Sequence, residues 1–195
     1  MTKGKKKRVI VGMSSGVDSS VAAAILKKQG YDVVGIFMHF WKEPSQNSLV
    51  ENKCCSLEAQ ADARKVCQIL GVPLYTVNAE REFKREVVDY FLEEYAGGRT
   101  PNPCVVCNEH IKFNVLLKKM LEMKADYIAS GHYAKMRKVK TKGKVIYKIF
   151  QAKDREKDQS YFLYTLTQEK LKHVLFPVGN YKKKDVKKMA EKFGI

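Results

Sequence analysis

The sequence predicts an α/β fold in which a parallel sheet carries helices on both faces. Two observations support this prediction. Through the first two-thirds of the chain, short apolar runs alternate with helical patterns, and glycines such as Gly30 and Gly71 directly follow the helical patterns. Successive strand–helix–strand units place their strands parallel, because the helix returns the chain to the same edge of the sheet. We therefore expect a doubly wound parallel sheet.

Each element follows from a local signal. Apolar runs indicate strands, apolar residues at helical spacing indicate helices, Ser56 is a typical helix N-cap, and Gly71 is a typical helix stop. The first predicted elements are a strand at 8–13, a helix at 18–29, a strand at 32–38 and an irregular mobile loop at 41–54. A helix at 57–70 and a strand at 73–78 follow. The last are a helix that is marked by apolar residues between 83 and 91 and ends at Gly97-Gly98, a helix at 106–123 and a strand at 126–130.

The order of the strands decides where a ligand would bind. We expect the order 3-2-1-4, which places the turn at Ser14–Ser20, after the first strand, opposite the turn at Ser130–Tyr133, after the fourth. In open α/β sheets, ligands bind at this point, outside the carboxyl ends of the strands.

The pattern changes after residue 133. Strands at 134–139 and 145–150 indicate a hairpin around Lys142-Gly143, and helices follow near 167–173 and 181–193. We expect one domain over residues 1–170 and the start of a smaller helical region at 171–195. Because Gly194 resembles a helix stop with little sequence after it, we also expect the chain to be part of a longer protein.

The turn Ser14-Ser15-Gly16-Val17-Asp18-Ser19-Ser20 predicts a phosphate site. A strand, a turn rich in glycine and serine, and a helix follow one another, so the helix start can offer unpaired N–H groups to an anion. The spacing matches neither a Walker A loop nor a dinucleotide loop. Asp18 is unusual beside phosphates unless Mg²⁺ bridges them. A serine-rich helix cap without a ligand is the alternative.

Composition limits the class of protein. The chain has 195 residues and a net charge of +16, with 18 basic and 6 acidic side chains after residue 133. Basic ends favour a polyanionic partner, and lysine enrichment for solubility or heat tolerance is the alternative. No secretory signal and no apolar run near the roughly 20 residues of a membrane span are found. Five cysteines in a chain without secretory features indicate a reducing cytoplasm. Without a membrane span, we expect no membrane partner.

The serine-rich turn resembles the phosphate loop of the PP-loop ATP pyrophosphatases, with Ser15 where that superfamily usually has glycine. Further blocks extend the resemblance over the whole chain: Pro101-Asn102-Pro103-Cys104-Val105-Val106-Cys107-Asn108, Ser130-Gly131-His132-Tyr133 and Lys157-Asp158-Gln159-Ser160-Tyr161-Phe162-Leu163. With these, the chain resembles the tRNA-specific 2-thiouridylases. The resemblance implies a Rossmann-like fold in which residues 171–195 begin a tRNA-binding domain. It also implies ATP-dependent 2-thiolation of the wobble uridine in the anticodon loop of tRNA, with sulfur from a persulfide donor protein of a relay.

The resemblance also implies roles for individual residues. The implied catalytic residues are Cys107 as the nucleophile, with Cys104 and Asp18. The implied ATP site, with Mg²⁺, is formed by Gly12, Met13, Ser14, Ser15, Gly16, Val17, Asp18, Ser19, Met38 and Gly131. The implied contacts with the target base are Asn102, Pro103 and Cys104, and those with tRNA are Lys157, Asp158 and Gln159. A helix N-terminus near Cys107 would favour its thiolate.

The chain departs from the family at Cys104, where an aspartate is usual. The pair Cys104 and Cys107 could hold a [4Fe–4S] cluster or Zn²⁺, form a disulfide, or remain two independent thiols. Cys54 and Cys55 could add a cluster ligand or be structural. The persulfide-carrying cysteine of the family would lie beyond Ile195. Two other functions stay open: an amide-forming synthetase of the NAD or GMP synthetase type, and a non-catalytic fragment that binds ATP or tRNA.

Other residues have a structural and a functional interpretation. Cys67 is expected in the core, and His132 is expected either to contact nucleotide or to be a hydrogen-bonded structural histidine. The stretch His39-Phe40-Trp41 would wall an adenosine pocket or pack in the core. Lysines 182–184 and 187–188 would be solvated helix surface or would contact the tRNA backbone.

Overall fold

A parallel sheet of five strands forms the centre of the molecule. The computed structural model describes residues 6–40, 56–141 and 143–195. The strands of the chain are β1 (Arg8–Met13), β2 (Asp32–His39), β3 (Leu74–Asn78), β4 (Tyr127–Ala129), β5 (Ala134–Thr141), β6 (Lys144–Gln151) and β7 (Val174–Leu175). The sheet has the order β3-β2-β1-β4-β7, and each neighbouring pair is parallel. The predicted order of the first four strands is confirmed.

Eight α-helices accompany the strands in the described part of the chain. They are α1 (Val17–Lys28), α2 (Leu57–Leu70), α3 (Glu80–Phe83), α4 (Tyr90–Ala96), α5 (Pro103–Val106), α6 (Phe113–Glu122), α7 (Gln168–Leu171) and α8 (Lys183–Phe193). A π-helical segment, Lys84–Asp89, joins α3 to α4, and another, Cys107–Lys112, joins α5 to α6. Both pairs therefore form continuous helices. Single-turn 3₁₀-helices occupy Ser160–Leu163 and Pro177–Asn180.

Alternate residues of β1 show that the sheet is covered on both faces. Val9, Val11 and Met13 lie in a buried cluster with side chains of α1 and α2. Ile10 lies in a second buried cluster with Leu116 of α6. Because successive strand residues point to opposite faces, both faces of β1 are buried, which confirms the doubly wound fold.

The capping signals of α2 are also confirmed. Ser56 Oγ accepts a hydrogen bond from the N–H of Ala59 at 3.1 Å. At the other end, Gly71 adopts the left-handed conformation with φ 55°. Only glycine takes this conformation readily, so the sequence marks the end of the helix correctly.

Residues 171–195 pack against the same body as the first four strands. β7 pairs with β4, and the two residues of β7 are too few to produce a sequence pattern, so the prediction missed this strand. Val186 and Ala190 of α8 are buried with Val21 and Ile25 of α1. The predicted boundary at residue 170 thus falls beside a strand of the sheet, and the start of a tRNA-binding domain at 171–195 stays a prediction.

The hairpin predicted at 134–150 is present. β5 and β6 pair antiparallel from Ala134↔Gln151 to Thr141↔Lys144. Gln168 of α7 fixes the hairpin to the body, because its side chain donates to the Tyr147 carbonyl at 2.8 Å and accepts from the Tyr147 N–H at 2.7 Å.

Several predictions lie outside the described residues. They concern the loop at 41–54, Trp41, Cys54 and Cys55, and the hairpin residue Lys142. Within the part of the chain that is described, no helix has the length and apolar character needed to cross a membrane.

Candidate functional site

The turn between β1 and α1 is held by its own serines. Ser19 Oγ accepts from the Ser14 N–H at 3.1 Å and donates to the Gly16 carbonyl at 2.9 Å. Ser14 Oγ accepts from the Gly16 N–H at 3.1 Å. These short-range bonds shape the loop before any ligand binds, whereas Ser15 is exposed.

The start of α1 is suited to an anion. Gly16 is the N-cap, its backbone is extended, and no side chain caps the helix. The first N–H groups of a helix have no partner within the helix, and the helix dipole adds positive charge there. Unpaired N–H groups at a helix start are the groups with which other proteins bind phosphate.

The loop after β4 closes against the same helix start. A Cβ built on Gly131 would lie 2.6 Å from the Ser19 nitrogen and 2.7 Å from the Asp18 carbonyl carbon. Only a residue without a side chain fits this approach. The two turns predicted to face each other at the carboxyl edge therefore do so.

A cavity of about 660 Å³ opens between these turns and the helices above them. Its wall includes these predicted site residues: Gly12, Met13, Ser14, Gly16, Asp18, Ser19, Met38, Pro103, Cys104, Cys107, Gly131 and Gln159. Five other predicted site residues are not part of this wall: Ser15, Val17, Asn102, Lys157 and Asp158. The structure thus brings the phosphate loop and both cysteines of the central motif to one cavity.

The Asp18 carboxylate in this wall is already paired. Lys183 Nζ lies 2.6 Å from each carboxylate oxygen, and the Tyr133 hydroxyl donates to Oδ1 at 2.8 Å. Burial and this hydrogen bond raise the pKa of Tyr133. Sequence reasoning missed both partners, because Lys183 is one of several adjacent lysines and nothing in its neighbours marks it as inward-facing. Lys184, Lys187 and Lys188 are exposed.

The two cysteines lie at different depths of one helix. This helix begins at Pro103, three residues before its predicted start, and Asn102 Oδ1 caps it by accepting from the Val105 N–H at 3.2 Å. Cys104 is therefore in the first turn and is exposed, whereas Cys107 lies one turn further and is buried. The N-terminus of this helix thus lies nearer to Cys104 than to Cys107, whereas the sequence predicted a helix N-terminus near Cys107.

Cys104 and Cys107 are not joined to each other by a disulfide. Among the described residues, no group of three His, Cys, Asp or Glu side chains is suited to hold a metal ion. A [4Fe–4S] cluster or structural zinc site is therefore not supported by these residues, and Cys54 and Cys55, the other predicted ligands, lie outside them.

The block Lys157–Leu163 makes hydrogen bonds that hold the wall of the cavity in place. Asn108, next to Cys107, donates from Nδ2 to the Phe162 carbonyl at 3.1 Å. Gln159 accepts from the Tyr133 N–H at 3.0 Å through its side chain, and its own N–H donates to the Tyr133 carbonyl at 2.8 Å. Asp158 accepts from the Ala152 N–H at 2.6 Å. These residues order the site internally, while Lys157 is exposed.

His132 and Lys112 both line the cavity. His132 Nδ1 lies 2.8 Å from Ser130 Oγ, and its ring packs against Phe113 at 5.8 Å between centroids. Burial, with a smaller effect from the positive charge of Lys112, lowers the pKa of His132 to about 3. The histidine is thus a neutral, hydrogen-bonded part of the wall. Lys112 is half-buried and has no hydrogen bond or ion pair within the described residues, so its charge is available to a ligand.

The structure shows where Phe40, His39 and Cys67 lie. Phe40 lines the cavity and stacks on Phe83 with centroids 5.1 Å apart. His39 faces Glu80 instead, with Nδ1 3.0 Å from the carboxylate. Cys67 is buried in the core, and burial raises its pKa to about 11, which confirms its structural interpretation.

Together, the fold and the cavity define an α/β protein with a serine-rich loop at the carboxyl edge of its sheet and a thiol in the facing wall. The chain belongs to the family described as the tRNA methyl transferase HUP domain, which matches residues 7–195.

Curated relatives and solved structures agree with this placement. A tRNA-specific 2-thiouridylase MnmA of Clostridium perfringens is 48% identical over 190 residues, which cover 97% of this chain and 52% of the relative. A protein named tRNA-specific 2-thiouridylase MnmA 1 of Caldanaerobacter subterraneus subsp. tengcongensis is 53% identical over 96% of this chain and 51% of the relative. The chain thus spans about half the length of these relatives.

The fold recurs at low sequence identity. A structure described as a predicted subunit of tRNA methyltransferase from Methanocaldococcus jannaschii has a TM-score of 0.54 at 22% identity, covering 94% of this chain and 75% of that one. An NMN synthetase from Francisella tularensis has a TM-score of 0.53 at 14% identity, with 98% and 63% covered. At these identities the likeness concerns the fold alone.

Proposed function

We propose that this chain is the nucleotide-binding part of an ATP-dependent tRNA 2-thiouridylase that acts on the wobble uridine. The observation that supports this most is the shared cavity: the phosphate loop forms one wall and Cys104 and Cys107 form another. A reaction that uses both ATP and a cysteine needs both walls. Because the chain spans about half of its relatives, complete thiolation is proposed for the longer protein.

The proposed chemistry has two stages. In the first, the uridine 2-oxygen attacks the α-phosphorus of ATP, and pyrophosphate leaves with the oxygen that bridged the α- and β-phosphates. In the second, the outer sulfur of a cysteine persulfide attacks C2, and AMP leaves with the former uridine oxygen. The Cys107 thiolate then attacks the carrier sulfur, which releases the thiouridine and leaves a disulfide that a cellular thiol reduces.

The described residues suit the first stage. The N–H groups at the start of α1 and the ammonium group of Lys112 offer positive charge to the phosphates. Mg²⁺ supplies further charge neutralisation when it binds with ATP, and Asp18 is the carboxylate in the described part of the wall that would face it. Lys183 is paired with that carboxylate.

The base side of the cavity suits a flipped nucleotide. Phe40, Phe83 and Phe91 give it an apolar wall, and Pro103 makes its edge rigid. An unpaired anticodon base is extruded at less free energy than a base in a duplex. We place the reaction in the cytoplasm, with a persulfide-bearing relay protein as the sulfur donor.

The family description and the relatives' name differ, one referring to methyl transfer and the other to thiolation. The cavity favours thiolation, because methyl transfer to a base does not cleave ATP and therefore requires no phosphate loop. The similarity to an NMN synthetase extends to the fold alone and does not favour amide formation.

Pyrophosphate release tests the proposal. The chain, ATP, Mg²⁺ and an unmodified tRNA transcript should release pyrophosphate, and added sulfide should convert the activated uridine to 2-thiouridine, detected by mass spectrometry. Asp18→Ala should abolish release, whereas Cys107→Ser should retain it, because Cys107 acts after adenylation. Asp62→Ala, at an exposed position of α2, is the matched control. Release that does not depend on tRNA would contradict the proposal.

A further inference from the structure

The β5–β6 hairpin carries an unbalanced charge. Residues 134–151 contain seven basic side chains and no acidic one. The described basic side chains of the hairpin form no ion pair within the described residues. A hairpin needs turn residues and a packed face, but neither requirement explains a complete exclusion of carboxylates.

Strand register divides the hairpin into two faces. Met136, Tyr147 and Ile149 pack against the buried cluster that includes Leu163 and Leu171. Their strand neighbours therefore point the other way. We call these neighbours the outer face; its members are Lys135, Arg137, Val139, Thr141, Lys144, Ile146, Lys148 and Phe150.

The outer face holds one pair of cations directly opposite each other. Arg137 pairs directly with Lys148 across the two strands, and both are exposed. Like charges directly opposite one another in a sheet destabilise it. An arrangement that disfavours the free hairpin becomes favourable when an anion lies across both side chains.

An aromatic ring adjoins these cations. The Arg137 guanidinium lies 5.2 Å from the centroid of Phe150, whose side chain remains 38% exposed. Alternate residues of one strand face are about 7 Å apart, so the cations form a row rather than one pocket. A row of cations with an exposed ring is the composition used to follow a nucleic-acid strand.

The hairpin is continuous with the candidate site. β5 begins at Ala134, the residue after Tyr133, whose hydroxyl binds Asp18 of the phosphate loop. A strand whose base enters the cavity therefore leaves it close to the base of the hairpin. An anionic membrane fits less well, since interfacial binding relies on several large apolar side chains and Phe150 is the one that this face exposes.

We propose that the outer face of the hairpin binds the phosphate backbone of the RNA whose uridine enters the cavity. The proposal rests on the proposed function for the identity of that RNA. Arg137 and Lys148 each contact a phosphate, and Lys135 and Lys144 extend the contact along the strands.

The test compares two variants that lose the same charge. Arg137→Gln/Lys148→Gln removes two cations of the outer face, and Lys28→Gln/Arg64→Gln removes two exposed cations of α1 and α2. Binding of a labelled tRNA transcript is followed by fluorescence anisotropy at several salt concentrations. The hairpin variant should bind about tenfold more weakly at low salt, and its salt slope should fall by about 0.7 to 0.9 for each lost contact. The control should change less than twofold.

A second measurement separates binding from folding. Because Arg137 and Lys148 repel one another, Lys148→Gln should keep or raise the Tm of the chain, and a lowered Tm would indicate a structural role instead. Equal losses in both double variants, or no loss in either, would overturn the proposal. If the chain binds phosphatidylserine vesicles and does not bind tRNA, the proposed RNA partner is wrong. If the hairpin variant binds tRNA like the parent while tRNA-dependent pyrophosphate release persists, the hairpin proposal alone fails.

Discussion

The two walls of the cavity are built in different ways. The serine side chains shape the phosphate loop through bonds between residues at most five positions apart, such as Ser14 with Ser19. The cysteine wall depends on distant partners, since Asn108 beside Cys107 bonds to Phe162, 54 residues later. A wall made of local bonds can be recognised from a short stretch of sequence, whereas the other needs the complete fold.

The largest effect is expected where the loop meets a distant residue. Gly131→Ala would put a Cβ 2.6 Å from the Ser19 nitrogen, so the helix start or the loop must move. We expect ATP affinity to fall about 100-fold or more, measured by calorimetry, with a loss of about 1–3 kcal/mol in unfolding free energy.

Gly97→Ala is the control for this variant. Gly97 has φ −79°, and a Cβ there would meet the flexible side chain of Arg99. If Gly131→Ala binds ATP like Gly97→Ala, the close approach of the two turns does not shape the phosphate site.

A smaller effect is expected from the ion pair that joins the loop to α8. Lys183→Met leaves Asp18 without its cation beside the phosphate position. We expect a loss of about 1–2 kcal/mol in unfolding free energy, because both side chains are partly exposed, and about tenfold weaker ATP binding. Denaturant melts and calorimetry measure these two quantities. Lys184→Met, at the exposed neighbouring position, should change neither, and an equal effect there would show that Lys183 acts through net charge alone.

The smallest effect concerns His132, which lies between the walls. Its pKa of about 3 lies below the ordinary value of 6.5, so the unfolded chain binds more protons between these values and stability rises with pH. His132→Gln should remove this contribution, and unfolding free energy should then depend less steeply on pH, by up to about 1.4 kcal/mol per unit. Urea melts at several pH values between about 4 and 6.5 measure the slope. Identical slopes in parent and variant would show that His132 is not held neutral.

The sequence predicts the parts that depend on local bonds. The strand order of the first four strands, the caps of α2 and the hairpin follow from periodicity, glycines and turn residues. The phosphate loop follows from its position between a strand and a helix. Each signal is local, so one chain contains enough information to recognise it.

The remaining features depend on contacts that have no local signal. β7 has two residues, so its pairing with β4 decides that it is a strand. Lys183 cannot be told from Lys182 or Lys184 by composition, although it alone of the three lies against Asp18. The helix with the two cysteines begins earlier than predicted because Asn102 acts as its cap, and Pro103 fits the first helical position.

The bond between Asp18 and Lys183 also bears on the order in which the chain folds. Its two residues are 165 positions apart, so during synthesis the phosphate loop emerges long before its cation. Likewise, the part of the sheet on one side of β1 is complete only after β4 and β7 have been synthesised. Contacts of such sequence separation form slowly. A nascent chain therefore carries the proposed nucleotide site without this ion pair until α8 has left the ribosome, so we expect full ATP affinity only when nearly the whole of this chain is made.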